Sequence, residues 1–162
     1  MPAMQMDDLY AMPGHLIRRS QQIAVSLFME EAAAFGLTPV QFAALAAIRT
    51  QPDIDATRLS QLIAFDRSTI GSVLARLQSK GLIERQSDRE DKRVKRLRLT
   101  PAGTRLLGRI QKPVVRAQKR ILEPLTPAEQ RQFMALLSKM VQVNNRYSRV
   151  PLKSAAKGTV DR

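Results

Sequence analysis

The sequence has no cysteine, no tryptophan, a single histidine (His15) and an aromatic content of only 4%. Without cysteine the chain cannot form disulfides, bind a metal through thiolates or sense oxidation through a thiol. One histidine also excludes zinc sites built from several imidazoles. We therefore expect no metal and no cofactor. Because 44% of the residues are hydrophobic but few are aromatic, the predicted core is aliphatic, which favours packed helices over a large β-sandwich.

Long hydrophobic runs are missing as well. No apolar stretch approaches the roughly 20 residues of a membrane span, and no signal segment opens the chain. These absences predict a cytoplasmic location and no membrane partner. Acidic residues are scarce, with 14 Asp and Glu against 27 Lys and Arg, which gives a net charge of +13. Such an excess favours a polyanionic partner, and nucleic acid is the one predicted.

Residue patterns for catalysis are equally absent. The sequence contains no glycine-rich phosphate loop, no paired metal ligands and no nucleophile with a suitable base. We predict that the protein is not an enzyme and has no catalytic residues.

Helical periodicity covers most of the chain. Thr-Pro pairs at 38–39, 100–101 and 126–127 indicate N-caps followed by proline at the first helical position. A regular helix is expected to begin near His15, after Pro13 and Gly14, and Gly81 is expected to end another. The predicted helical segments are 9–35, 38–50, 56–64, 67–80, 101–122 (bent at Pro113) and 126–147. The last of them is predicted to bury Phe133, Leu136, Leu137, Met140 and Val141, and residues 148–162 are predicted to be a basic mobile tail.

The segment 67–80 has the pattern of a helix that reads DNA. Its buried stripe is predicted to be Ile70, Val73, Leu74 and Leu77. The opposite face carries small residues that allow close entry into the major groove, and its flank carries Arg76. The residues predicted to contact DNA from this helix are Arg67, Ser68, Thr69, Ser72 and Arg76.

A strongly charged hairpin follows this helix. Strands are predicted from Leu82 and over 94–99, with the tip between Ser87 and Arg93. A protruding arginine can enter a narrow A·T-rich minor groove, where the negative potential is focused. Asp88, Glu90 and Asp91 are predicted to orient these arginines, with Asp91 paired to Arg93. The hairpin residues predicted to contact DNA are Arg89, Lys92, Arg93 and Lys95.

The run DRSTIGSVLARLQSKGLIERQSDREDKRVKRLRLTPAG, from Asp66 to Gly103, closely resembles the signature of MarR-type regulators. The order of the flanking helices extends the resemblance over about residues 10–147. It implies a mainly α fold with a small β-hairpin wing, in which a winged helix-turn-helix DNA-binding domain (37–100) joins a helical dimerisation region (9–35 and 101–147). The resemblance also implies that Arg93 is the minor-groove arginine and Asp91 its partner. One departure is Arg89, which stands where proline is common.

The resemblance further implies a homodimer on a palindromic operator, most commonly a repressor that a small phenolic or aromatic acid releases. The three long helical segments also carry more apolar surface than one winged domain can cover. The residues predicted to bind such an effector are Met12, His15, Arg18, Arg19, Phe42 and Leu45. The pattern is similar to the branch that controls aromatic or N-heteroaromatic acid catabolism, including nicotinate-pathway regulators. The absence of cysteine excludes the thiol-oxidation branch.

Two other nucleic-acid functions remain open at this point. A net charge of +13 would let a sequence-neutral architectural protein bind any duplex, and the basic residues Arg146, Arg149, Lys153 and Lys157 would serve it well. An RNA-binding role is less favoured because the chain lacks an aromatic platform for stacking bases.

Overall fold

The structure is a computed structural model that describes residues 4–153, and it is mainly helical with one two-stranded antiparallel hairpin. The predicted fold class is confirmed. The elements in chain order are α1 (Met6–Ala11), α2 (Pro13–Glu31), α3 (Pro39–Thr50), α4 (Ala56–Leu62), α5 (Arg67–Ser79), β1 (Ile83–Ser87), β2 (Lys95–Leu99), α6 (Pro101–Leu122) and α7 (Pro127–Val143), with single 3₁₀ turns at Ala33–Phe35 and Asn145–Tyr147. No helix within 4–153 is both long enough and apolar enough to cross a membrane.

The three Thr-Pro signals mark helix starts as predicted. The side chains of Thr38, Thr100 and Thr126 each accept a hydrogen bond from the backbone N–H three residues later, which satisfies a donor that the helix leaves free. Pro113 lies inside α6, which continues through it. The last helix ends at Val143 rather than at Tyr147, because a 3₁₀ turn replaces its final residues.

The core lies where the short helices, the hairpin and α6 meet. Buried aliphatic side chains from these elements converge there, including Leu45, Leu59, Leu74, Leu97 and Leu107. Gly81 turns the chain from α5 into β1 with a left-handed φ of +67°, which a residue without a Cβ adopts at low cost. This packing fixes α5 and the hairpin on one rigid body.

Helices α2 and α6 pack against each other in antiparallel orientation. The carboxylate of Glu31 accepts hydrogen bonds from Nε of Arg116 (2.8 Å) and Nη1 of Arg120 (3.0 Å). Four residues after Glu31, the ring of Phe35 lies under the guanidinium of Arg109, which comes before Arg116 in α6. Residues after α2 thus contact the earlier part of α6, so the two helices run in opposite directions. The first half of α2 therefore extends past Leu122, the last residue of α6. That half is largely exposed.

Helix α7 differs from the prediction. None of its residues is buried, although Phe133, Leu136, Leu137, Met140 and Val141 were all expected inside. Leu137 is half-buried and the other four are exposed. The prediction was wrong for the single chain because no element within residues 4–153 covers this face.

Part of the segment predicted as a mobile tail is folded against the protein. Residues 148–153 make defined contacts: Arg149 pairs with Asp66, and the backbone N–H of Lys153 donates to the carbonyl of Gln61. The rest of that predicted tail, 154–162, lies outside the described residues.

Candidate nucleic-acid interface

Helix α5 presents one apolar and one polar face, as its sequence predicts. Ile70, Val73, Leu74 and Leu77 are buried in the core. Asp66 caps the helix, its Oδ1 accepting from the N–H of Ser68 at 3.0 Å. The five residues predicted to contact DNA from this helix are all exposed: Arg67, Ser68, Thr69, Ser72 and Arg76. Their common exposure leaves a surface that can enter a groove.

The hydroxyl groups on this surface already use their protons. Ser68 Oγ donates to Asp66 Oδ1, Thr69 Oγ1 donates to the Asp66 carbonyl, and Ser72 Oγ donates to the Thr69 carbonyl. A hydroxyl has one donor but two acceptor lone pairs. In this arrangement the serines and Thr69 therefore offer acceptors to base amino groups, while Arg67 and Arg76 supply donors.

The hairpin is tied to the body of the domain at its base. Its strands pair in the register Ile83↔Leu99 to Ser87↔Lys95. Ile54, from the α3–α4 loop, adds an isolated bridge to Leu97, and Leu97 itself is buried. The wing therefore projects from a fixed base, so its tip has a defined position relative to α5.

Asp88 organises the wing tip. Its carboxylate accepts from the backbone N–H groups of Glu90 (2.9 Å) and Asp91 (3.1 Å) and from Nε of Arg96 (2.7 Å). The Asp91 N–H, the Arg96 guanidinium and the Glu90 N–H together lower the pKa of Asp88 to about 2. Because the folded pKa lies below the ordinary one, these contacts stabilise the wing fully above about pH 4 and are lost as the pH falls through 2.

Asp91 contacts Arg93 in a different way from the one predicted. Its Oδ1 accepts from the backbone N–H of Arg93 at 3.0 Å, and the guanidinium of Arg93 has no ion pair within residues 4–153. The Asp91–Arg93 side-chain pair is thus absent because the short turn directs the carboxylate to the backbone. The aspartate orients the main chain and leaves the Arg93 side chain free.

The seven basic residues of the hairpin fall into two groups. Three face the protein: Arg96 and Arg98 form ion pairs with Asp88 and Asp53, and Arg85 is half-buried, with its Nε and Nη2 lacking a hydrogen-bond partner within residues 4–153. Four are exposed, and they are the four that sequence analysis assigned to DNA: Arg89, Lys92, Arg93 and Lys95. Lys95 makes one contact, to Ser87 Oγ at 2.6 Å. Asp88, expected from the sequence to orient wing arginines, does so for Arg96, but the role of Asp53 was missed.

The residues predicted to bind an effector form two separate groups. His15 lies beside Arg18 (Nδ1 to Nη2, 3.4 Å) and beside the Tyr10 ring, with centroids 5.3 Å apart. Nε2 of His15 is buried without a hydrogen-bond partner within the described chain. Sequence analysis missed Tyr10. Met12 is half-buried close by, and Arg19 is exposed on the same helix.

The second group lies at the other end of α2. The ring of Phe42 is half-buried, and its centroid lies 6.0 Å from that of Phe28. Phe28 is 13 positions after His15, which corresponds to about 20 Å along α2. Leu45 has no exposed surface, so it can support the wall of a pocket but cannot face a ligand in this conformation. The single chain does not bring the two groups together.

Comparisons with known proteins agree on one family. The model of the MarR family matches residues 35–94. A protein assigned as transcriptional regulator of the hcr operon in Thauera aromatica is 31% identical over 128 residues, covering 78% of this chain and 77% of that protein. The family model and this relative both describe transcriptional regulators, in agreement with the prediction that the chain is not an enzyme.

Solved structures give the same result. The transcriptional repressor CouR, bound to a 23-mer DNA duplex, has a TM-score of 0.76 at 26% identity, covering 86% of this chain and 99% of that one. BpsR of Bordetella bronchiseptica, whose DNA binding is regulated by 6-hydroxynicotinic acid, has a TM-score of 0.76 at 28% identity, covering 86% and 97%.

Proposed function

The chain belongs to the MarR family of transcriptional regulators, and from that premise we propose that it is a homodimeric repressor of a palindromic operator, released by a small aromatic carboxylic acid. The observation that carries the DNA-binding part is the pairing of an exposed polar face on α5 with a wing whose unengaged basic residues project beside it. Residues 37–100 form the DNA-binding domain in this proposal, and residues 9–35 and 101–147 form the dimerisation region.

Unpartnered apolar surface supports the dimer. Leu136 is 60% exposed and Val143 is 65% exposed on α7, and Leu16 is 52% exposed on the projecting half of α2. Large exposed apolar patches on soluble proteins mark interaction sites. A second copy of the chain, with the same faces exposed, would cover this surface.

Two reading helices in one dimer would lie about 34 Å apart, one turn of DNA. Selection of bound duplexes from a random DNA pool tests this geometry. We expect an inverted repeat whose half-sites are centred about 10 base pairs apart. Enrichment of unrelated sequences, or of a single undivided site, would instead favour the sequence-neutral architectural function.

Replacing Arg93 with alanine is expected to weaken operator binding at least tenfold. A charge-assisted contact contributes roughly 1.5–3 kcal/mol, and 1.4 kcal/mol corresponds to a factor of ten. The comparison is a fluorescence-anisotropy titration of the wild type, Arg93→Ala and Arg131→Ala, which removes one exposed charge from α7. Light scattering should report the same mass for all three. Equal affinity of the wild type and Arg93→Ala would remove Arg93 from the set of DNA contacts.

The effector proposal rests on the group around His15. A half-buried imidazole with an unpartnered Nε2, beside an aromatic ring and an arginine, offers a hydrogen bond, a stacking surface and a charge partner for a carboxylate. The similarity to BpsR, which 6-hydroxynicotinic acid regulates, favours aromatic and N-heteroaromatic acids. The projecting half of α2 would meet Phe42 only across the dimer interface, so the pocket would be completed by the partner.

Substitution of Arg18 with alanine should separate release from binding. We expect unchanged operator affinity, but at least a tenfold higher acid concentration for half-release, because the carboxylate loses its cationic partner. A panel of benzoic, hydroxybenzoic and hydroxynicotinic acids provides the readout. Arg19→Ala tests the other arginine predicted to bind the effector, which lies one position further along α2, and Arg131→Ala is the control that removes one exposed charge from α7. If neither Arg18→Ala nor Arg19→Ala alters release by any acid that is active on the wild type, the pocket does not lie at the start of α2.

A further inference from the structure

The segment after α7 folds back on itself and forms a closed loop. The side chain of Asn145 holds Leu152 from both sides: its Nδ2 donates to the Leu152 carbonyl (3.2 Å), and the Leu152 N–H donates to its Oδ1 (2.8 Å). Inside this loop, Ser148 Oγ donates to the Val150 carbonyl and accepts from the Val150 N–H. We name residues 145–153 the C-terminal strap.

The strap is attached to both helices of the helix-turn-helix. At its far end, the backbone N–H of Lys153 donates to the carbonyl of Gln61 in α4, at 3.1 Å. At its centre, Nη2 of Arg149 donates to Oδ2 of Asp66, the cap of α5, at 2.6 Å. The strap therefore spans the turn between α4 and α5, 83 residues away along the sequence.

That location is close to DNA in a helix-turn-helix complex. The first helix of the motif crosses the DNA backbone, and the first residues of the second helix reach the base edges. The turn between them therefore lies next to phosphates. A basic group held at this turn would meet the DNA backbone without any change in the position of α5.

The charges on the strap suit that position. The Arg149 side chain is 88% exposed and makes one hydrogen bond within residues 4–153, through Nη2 to Asp66, so most of its five N–H donors face solvent. Lys153 is exposed as well. The carboxylate of Asp66 would repel a phosphate, and its pairing with Arg149 removes that repulsion. We propose that the strap is a second phosphate-binding site, in which Arg149 and Lys153 contact the DNA backbone beside the α4–α5 turn.

This inference rests on the proposed function, because it requires α5 to be the reading helix. The salt dependence of operator affinity tests it. Each phosphate contact adds about 0.9 to the slope of log K against log salt concentration. With two protomers on the operator, Arg149→Ala is expected to reduce the magnitude of that slope by about 2, and Arg149→Ala/Lys153→Ala by about 4.

Two further variants distinguish a phosphate contact from an ion pair that only stabilises the fold. Asp66→Asn keeps a good N-cap and keeps the charge of Arg149 but removes the ion pair, so the slope should stay at the wild-type value. Arg146→Ala removes a charge from the same strap. The Arg146 guanidinium contacts Tyr147 rather than the α4–α5 turn, so this variant should also leave the slope unchanged. The inference would be overturned if Arg149→Ala kept the wild-type dependence of log K on salt concentration and lost as much affinity as Asp66→Asn. A wild-type protein that shows no preference for its selected operator would overturn the proposed function itself.

Discussion

A Met140→Glu variant is expected to be monomeric and to lose detectable binding to the operator. Met140 is 38% exposed in the single chain and lies within the apolar arc of α7 that includes Phe133 and Leu137. A glutamate there would be buried without a partner in the dimer, and an unpaired buried charge costs several kcal/mol. One protomer alone reaches only one half-site, so operator affinity would fall with the dimer.

Gln142→Glu provides the control for this variant. Gln142 is exposed two positions further along α7, about 200° around the helix, and should point away from the partner. Sedimentation velocity should show a dimer for Gln142→Glu and a monomer for Met140→Glu. A dimeric Met140→Glu protein with normal operator affinity would mean that this face of α7 is not the dimer interface.

Gly103→Ala is expected to destabilise the fold by about 3 kcal/mol, the largest effect predicted for adding one methyl group. A Cβ at this position would lie 2.1 Å from the carbonyl oxygen of Leu82, far inside the contact distance. The same carbonyl accepts the N–H of Thr100, and Thr100 Oγ1 donates to the carbonyl of Gly81. The backbone is thus held on both sides, so α6 or β1 must shift.

Gly108→Ala should have the opposite effect in the same helix. No atom lies within 4 Å of a Cβ added at Gly108, and alanine is favoured over glycine in a helix by about 1 kcal/mol. Urea unfolding of both variants, at equal protomer concentration because the protein is a proposed dimer, should move the two midpoints in opposite directions. A Gly103→Ala midpoint at the wild-type value would show that α6 and β1 are not packed as closely as described.

The sequence was most informative where a pattern is local. The stripe Ile70, Val73, Leu74 and Leu77 is buried as its helical spacing predicts, and Gly81 ends that helix with the expected positive φ. The Thr-Pro caps were recognisable because proline and the cap act within one turn. Each of these features depends on neighbours three or four residues away.

Features that depend on distant residues were not predictable from the single sequence. Asp53 engages Arg98 across 45 residues, and Arg149 reaches Asp66 across 83, so no periodicity relates them. The exposed wing residues Arg89, Lys92, Arg93 and Lys95 match those assigned to DNA from the sequence, whereas the pairing of Arg98 with Asp53 could not be predicted. A buried face of α7 was predicted from its own pattern, but no element within the described residues 4–153 covers it.

The affinity of the purified wild-type protein for its selected operator, compared with a scrambled duplex of the same length at near-physiological salt, tests the central claim most directly. A sequence-specific regulator should bind the operator at least about 10³-fold more tightly, and excess unrelated DNA should leave that complex intact. A ratio near one, with both complexes removed equally by the competitor, would contradict the account: the excess positive charge alone would then explain the binding.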